Sequence, residues 1–360
     1  MSRDLVLASL ALIILLFLTA CPTQDVIVTS LTEEDLAQLA ELEFKVFKLK
    51  YQSPESIKTE TDKLAKELNT ILKGNIPNRP YKAKILGLLG QVQFYKQDLK
   101  ACLATCKEIE KTFPKEQRLF ILKSYFESTP TLKIIFLNEA LNNCEECSFI
   151  YLELAELYFH TDDYPLALKY FDKALLLLDK RYHEFLQNRR DLAFYLVDSK
   201  IRLATSSKEI LIKNELTTAD ILVVLLKETD WIAEFVQDEK ELELCLSRLK
   251  ESGYLFPSDL MLTDIIKRQD LAYLILAICA RLENNPSLRN RYAPTPSRPE
   301  SFISPLVDVP ATAYFYTASR LLVEREIMDL PNGKNFFPTK SIKGLDFLGI
   351  IKKLKVLYRR

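Results

Sequence analysis

Apolar residues return every three or four positions along most of this chain, and that spacing confines it to helices. Leu39, Leu42, Val46 and Leu49 fall at 3-4-3 intervals, and Ile57, Leu64, Leu68 and Ile71 draw a second stripe. Each set lines one face of a helix, where a half-buried strand would alternate instead. Thr32-Glu33-Glu34-Asp35 precedes the first stripe as a cap with acids in the first turn, opposing the positive end of the helix dipole. Ser53-Pro54 opens the second, and Gly74, Pro77 and Pro80 close it. The pattern predicts an all-α fold.

Composition narrows the function. Lys+Arg and Asp+Glu both number 49, so the formal net charge is zero and no basic block draws in nucleic acid. Hydrophobic residues make up 48% of the chain, enough for ordinary packed cores. Only 7 Gly and 2 His occur in 360 residues, and no phosphate-cradling G-x-G-x-x-G or G-x-x-x-x-G-K run is present. His160 and His183 are too few and too far apart for a metal cluster or a Ser-His-Asp arrangement. The expectation is a protein without cofactor or metal that is not an enzyme.

The N-terminus has the layout of a secretory signal. Arg3 precedes an apolar run from Leu5 to Leu18 that is too short to span a bilayer comfortably, and Leu18-Thr19-Ala20-Cys21 comes next. Those four residues resemble the lipobox of bacterial lipoproteins. The resemblance implies cleavage before Cys21 and acylation of Cys21. The rest of the chain would then be lipid-anchored at the cell membrane or outer membrane, on its periplasmic or extracytoplasmic face. An ordinary N-terminal membrane anchor is the other reading, since Asp4 offsets Arg3. Residues 1–21 are thus read as the signal and 22–30 as a tether.

Six further cysteines remain: Cys102, Cys106, Cys144, Cys147, Cys245 and Cys279. Cys144 and Cys147 form a C-x-x-C, readable as a local disulfide or free thiols, as a redox pair, or as half of a metal site that lacks a second pair of ligands. Cys102 and Cys106 read as core packing on a helix.

The stretch from Ser148 to Arg181 carries Tyr151, Leu154, Ala155 and Tyr158, a turn at Thr161-Asp162-Asp163-Tyr164, then Ala167, Phe171 and Ala174. It resembles a tetratricopeptide repeat, a pair of antiparallel helices about 34 residues long. Small residues at 155, 167 and 174 let the helix axes approach. A unit from Ala83 to Pro114 adopts the same plan, with Leu86, Leu89 and Gly90. A degenerate one, Pro114 to Cys147, has Lys133 where the family prefers Ala. Asp191 to Ala204 suggests a capping helix. The resemblance implies a helical repeat domain over 31–205 with a ligand face presenting Lys84, Gln91, Phe94, Tyr95, Lys115, Arg118, Tyr125, Glu156, Phe159 and His160. Aromatics beside mixed charges suit a protein segment. A generic bundle of helical hairpins without a groove is the alternative.

The pattern changes near Ser206 to Thr218. Beyond it, Ala219–Lys227, Asp238–Ser252 and Leu262–Arg281 read as helices, and 284–302 reads as a linker rich in Pro, Asn, Arg and Ser. Then come Asp308-Val309-Pro310, a helix from Tyr314 to Glu326, the turn Pro331-Asn332-Gly333, Phe337-Pro338, Ile342-Lys343-Gly344-Leu345-Asp346 and a helix from Phe347 to Leu357. This resembles a surface-layer homology module, which anchors exported proteins to cell-wall polymers. Phe256-Pro257 with Ile266-Lys267-Arg268-Gln269-Asp270 resembles half of an earlier copy. Residues 218–360 are thus expected to hold two copies, where the family commonly uses three. The family's binding arginine falls on Arg268 in one copy and on Gly344 in the other. The plain alternative is that both Phe-Pro pairs mark helix starts in a small helical domain.

Taken together, these features lead to an envelope lipoprotein acting as an adaptor. Its repeats would bind another envelope protein, its C-terminal part would touch peptidoglycan or a wall polymer through Arg268, and its lipid would hold the membrane. The alternative is a transporter accessory that holds a ligand in a pocket of the repeat domain.

Overall fold

The computed structural model describes residues 31–52, 54–74, 76–143, 147–197, 202–236, 238–254, 260–292 and 304–358. The leader with Cys21, the Cys144 side of the C-x-x-C, and Phe256-Pro257 lie outside them. The described residues form fifteen α-helices and no strand. These are α1 (Glu33–Leu49), α2 (Pro54–Lys73), α3 (Arg79–Tyr95), α4 (Leu99–Thr112), α5 (Gln117–Ser124), α6 (Pro130–Ala140), α7 (Ser148–His160) and α8 (Tyr164–Leu177). They continue as α9 (Lys180–Val197), α10 (Thr205–Leu211), α11 (Thr218–Glu228), α12 (Leu242–Glu251), α13 (Arg268–Leu282), α14 (Tyr316–Glu324) and α15 (Gly344–Leu357).

The chain divides into two compact units, Met1–Ile150 and Tyr151–Arg360. The division runs through α7, upstream of the composition change near 206–218. Polar ties hold the third repeat-like hairpin, α7–α8, to the helices C-terminal to it. Lys208 of α10 donates to Phe159 O at 3.0 Å, and Arg190 of α9 donates to Asp172 of α8 at 2.7 Å.

In the first unit, α3 is buried on both sides. One core joins Leu39, Leu42, Val46 and Leu49 to Leu64, Leu68, Ile85 and Val92. The other joins Ala83 and Leu86 to Cys102, Cys106, Ile109, Leu119 and Leu122. The helix approach depends on Gly87 and Gly90: a Cβ would fall 2.7 Å from the Arg118 Cβ at the first and 2.5 Å from Leu122 Cδ1 at the second. The capping box foreseen at Thr32 is present, with Asp35 N donating to Thr32 Oγ1 and Thr32 N donating back to the Asp35 carboxylate. Cys102 and Cys106 are buried free thiols inside the second core.

In the second unit, α7, α8 and α9 lead into three successive hairpins, α10–α11, α12–α13 and α14–α15. Several expected bounds change. The expected helix at Asp191–Ala204 is the end of α9, which starts at Lys180, and α10 begins only at Thr205. The helix expected from Leu262 begins at Arg268, because the residues before it are drawn into backbone pairing: Ile265 bridges Thr217 and Lys267 bridges Ser341. The expected linker holds a short 3-10 turn, Pro286–Asn290, with Leu288 buried; residues 293–303 lie outside the described set.

Candidate functional site

Three equivalent segments meet in the second unit, one before each long helix of the three hairpins. They are Leu216-Thr217-Thr218-Ala219-Asp220, Ile266-Lys267-Arg268-Gln269-Asp270 and Ile342-Lys343-Gly344-Leu345-Asp346. The first residue of each is fully buried. Their backbones bond in a cycle. Leu216 N donates to Ile342 O (3.0 Å) and Ile266 N to Leu216 O (2.9 Å). At the third position Thr218 N donates to Asp264 O (2.8 Å), Arg268 N to Lys340 O (2.9 Å) and Gly344 N to Lys213 O (3.0 Å). The ring therefore closes from the first hairpin to the second, the second to the third, and the third back to the first. Sequence reasoning found two of these segments and missed Leu216–Asp220. Its signal is a buried apolar residue with an acid four places later and no arginine between.

The third-position side chains turn to the next segment. Thr218 Oγ1 reaches Asp264 O at 3.3 Å. Arg268 donates from Nε to Phe336 O and from Nη2 to Asp329 O, both at 2.7 Å, and its guanidinium lies 4.8 Å from the Phe336 ring centre. Burial pulls the Arg268 guanidinium below its usual value, against the opposing pull of Asp346, Asp329 and Asp308. The residue expected to touch a wall polymer is thus committed to two backbone carbonyls. Asp308 completes the same corner by accepting from Phe336 N (2.7 Å) and Phe337 N (2.6 Å), which holds Phe337 at φ 54°. Phe337 of the expected Phe337-Pro338 pair is only half-buried, and the buried ring is that of its neighbour Phe336.

Beside Arg268 opens a cavity of about 480 Å³ lined by Lys340, Lys343, Lys353, Asp329, Asp346 and Tyr195. Lys340 and Lys343 are exposed and form no ion pair among the described residues, whereas Lys353 pairs with Asp329 at 2.8 Å. Two uncommitted ammonium groups beside a buried guanidinium suit an anionic ligand presenting several oxygens. A larger cavity, about 730 Å³, lies at the ends of α11, α13 and α15. Two of its three cations are already engaged, Lys227 with Glu239 and Arg281 with Glu234 and Trp231 O, and Lys355 stands at its edge.

The expected ligand face of the repeats divides between the units. In the first, Lys84, Gln91, Phe94, Tyr95 and Tyr125 are half-buried and Lys115 is exposed. Phe94 and Tyr125 pair with ring centres 4.4 Å apart. Arg118, by contrast, is 1% exposed, bonded to Glu43 at 3.0 Å and set over Phe149 at 4.4 Å. In the second unit Glu156 is 3% exposed and Phe159 0%, so neither offers surface to a ligand, while His160 is exposed. Later helices cover the buried pair. Arg189 of α9 reaches Glu156 at 3.3 Å and Glu209 at 2.7 Å, and the Lys208 ammonium sits 5.5 Å from the Phe159 ring centre. These covering residues had no sequence signal.

Cys147 is disulfide-bonded; its expected partner, Cys144, lies outside the described residues. Among the described residues no group of His, Cys, Asp and Glu is arranged to hold a metal ion, and no helix is long and apolar enough to cross a membrane. No protein-family model, curated protein or solved structure matches the chain.

Proposed function

We propose that this chain is a non-enzymatic envelope adaptor, held to a membrane by a lipidated Cys21, whose three C-terminal hairpins bind an anionic wall polymer. The observation that carries the reading is the closed ring of three equivalent segments with uncommitted Lys340 and Lys343 at one of its grooves. A third segment supplies the module number that the surface-layer homology resemblance leads one to expect. Arg268 then acts as a positioning residue, holding the Asp329 and Phe336 backbone that forms one wall of the groove, while the two lysines meet the ligand. The half-buried aromatics Phe94, Tyr95 and Tyr125 supply a separate face for a partner protein.

The test is retention of the full-length chain on purified wall sacculi. Lys340→Gln with Lys343→Gln lowers retention about tenfold or more, the scale of losing two charge-assisted contacts. Unchanged retention by that variant, or no retention of the parent chain, removes the wall-binding reading.

A further inference from the structure

The C-terminal turn of α15 ends in two adjacent exposed apolar side chains. Val356 is 64% exposed and Leu357 51% exposed. They flank a shallow hollow of about 360 Å³ lined by Ile327, Arg325, Glu326, Lys352 and Lys353. From Phe347 to Arg360 the sequence has no acidic residue, while Lys352, Lys353, Lys355, Arg359 and Arg360 all carry positive charge. Lys352 is anchored on Tyr195, donating to its carbonyl at 3.0 Å with the ammonium 3.7 Å from the ring centre. Lys355 forms no ion pair among the described residues.

We propose that this tip docks on an anionic lipid surface. Val356 and Leu357 enter the boundary between headgroups and acyl chains, and Lys355 meets lipid phosphates together with the N–H donors that Lys352 and Lys353 keep beyond their bonds to Tyr195 O and Asp329. Two physical points favour lipid over a protein partner. A pair of apolar side chains is small against the roughly 800 Å² that each side of a stable protein interface buries. An apolar tip collared by lysines is the arrangement that inserts at an interface, with the lysine stems packed along apolar surface and the ammonium groups at headgroup level. The acids near the hollow include Glu326, Asp329, already paired to Lys353, and Glu283, already paired to the lining Arg325. Lys353 lines both this hollow and the groove beside Arg268, but the substitutions that test the two readings do not overlap, Lys352 and Lys355 here and Lys340 and Lys343 there.

The experiment places Val356→Trp in the full-length chain and reconstitutes it in vesicles of neutral lipid, with or without anionic phosphatidylglycerol. The single native tryptophan, Trp231, is buried and serves as the internal reference. Brominated lipid is expected to quench the introduced indole about twofold or more in anionic vesicles, with relief at high salt and loss in a Lys352→Gln, Lys355→Gln background. Equal quenching in neutral vesicles overturns the anionic requirement, and no quenching in either overturns the proposal. The unsubstituted chain provides a second readout. Amide hydrogen exchange in the last turn of α15 slows in anionic vesicles only. Unchanged exchange, or slowing produced by an added envelope protein without lipid, overturns it as well.

Discussion

Arg268 and Gly344 hold the same place in two copies of one segment, yet they close the ring by opposite means. Arg268 reaches outward across a gap and joins two carbonyls of the next hairpin. Gly344 removes the gap altogether, since a Cβ there would lie 2.1 Å from Leu211 O. One joint is bridged by a side chain and the other is made by backbone contact. A residue type carried from one copy to another therefore says little about its role; the distance to the neighbouring hairpin decides it.

The contrast can be broken from either side. Gly344→Ala has the largest expected effect, because the obstructing atom is backbone and cannot rotate away. A loss of about 3 kcal/mol or more in urea unfolding is expected. Arg268→Ala comes next, at about 2–3 kcal/mol, from two carbonyls left without a donor and a vacated space beside Phe336. Arg268→Lys should recover only part of it, since an ammonium cannot reproduce the two-pronged planar geometry. If Gly344→Ala proves milder than Arg268→Ala, the backbone joint is looser than its geometry states. Thr218→Val, the third member, should cost only about 0.5–1 kcal/mol, because one 3.3 Å bond is lost while volume is kept.

The smallest effect is in the pH profile. Burial raises the Asp270 carboxyl above its ordinary value, against the Tyr314 hydroxyl bond at 2.8 Å, which lowers it. A folded pKa above the unfolded one means that Asp270 contributes stability that is fully present below the unfolded value. That contribution is lost as pH rises through the folded value. Asp270→Asn should therefore flatten the stability profile across the acid range just above pH 4. A profile unchanged by the substitution would show that Asp270 carries none of that dependence.

Local chemistry was legible in the sequence. The turns after α3 and α7 are built alike, with Gln97 at φ 63° and Asp162 at φ 65°, each preceding an aspartate, Asp98 and Asp163, whose side chains accept from Ala101 N and Leu166 N. Spacing and caps announced those hairpins because every contact involved lies within a few residues. What stayed hidden depends on distant partners. Glu156 and Phe159 sit on the expected helix face, but Arg189 and Lys208 cover them from 33 and 49 residues away. The segment at Leu216 is a ring member only because Ile266 and Ile342 come to it. The expected role of Arg268 follows from its place in the resembled motif, whereas its two carbonyl partners lie 68 and 61 residues downstream.

The bond from Gly344 N to Lys213 O also sets an order of events during synthesis. The first hairpin emerges with its pairing edge exposed, and the residue that covers that edge is made 131 positions later. Until then the unit has neighbours but no closure, so its assembly awaits the last helix and is governed by non-local contacts, which form slowly. A ribosome stalled before α15 would leave two open joints, and a holding factor that keeps such an intermediate from self-pairing would have its work concentrated at Leu216 and Lys213.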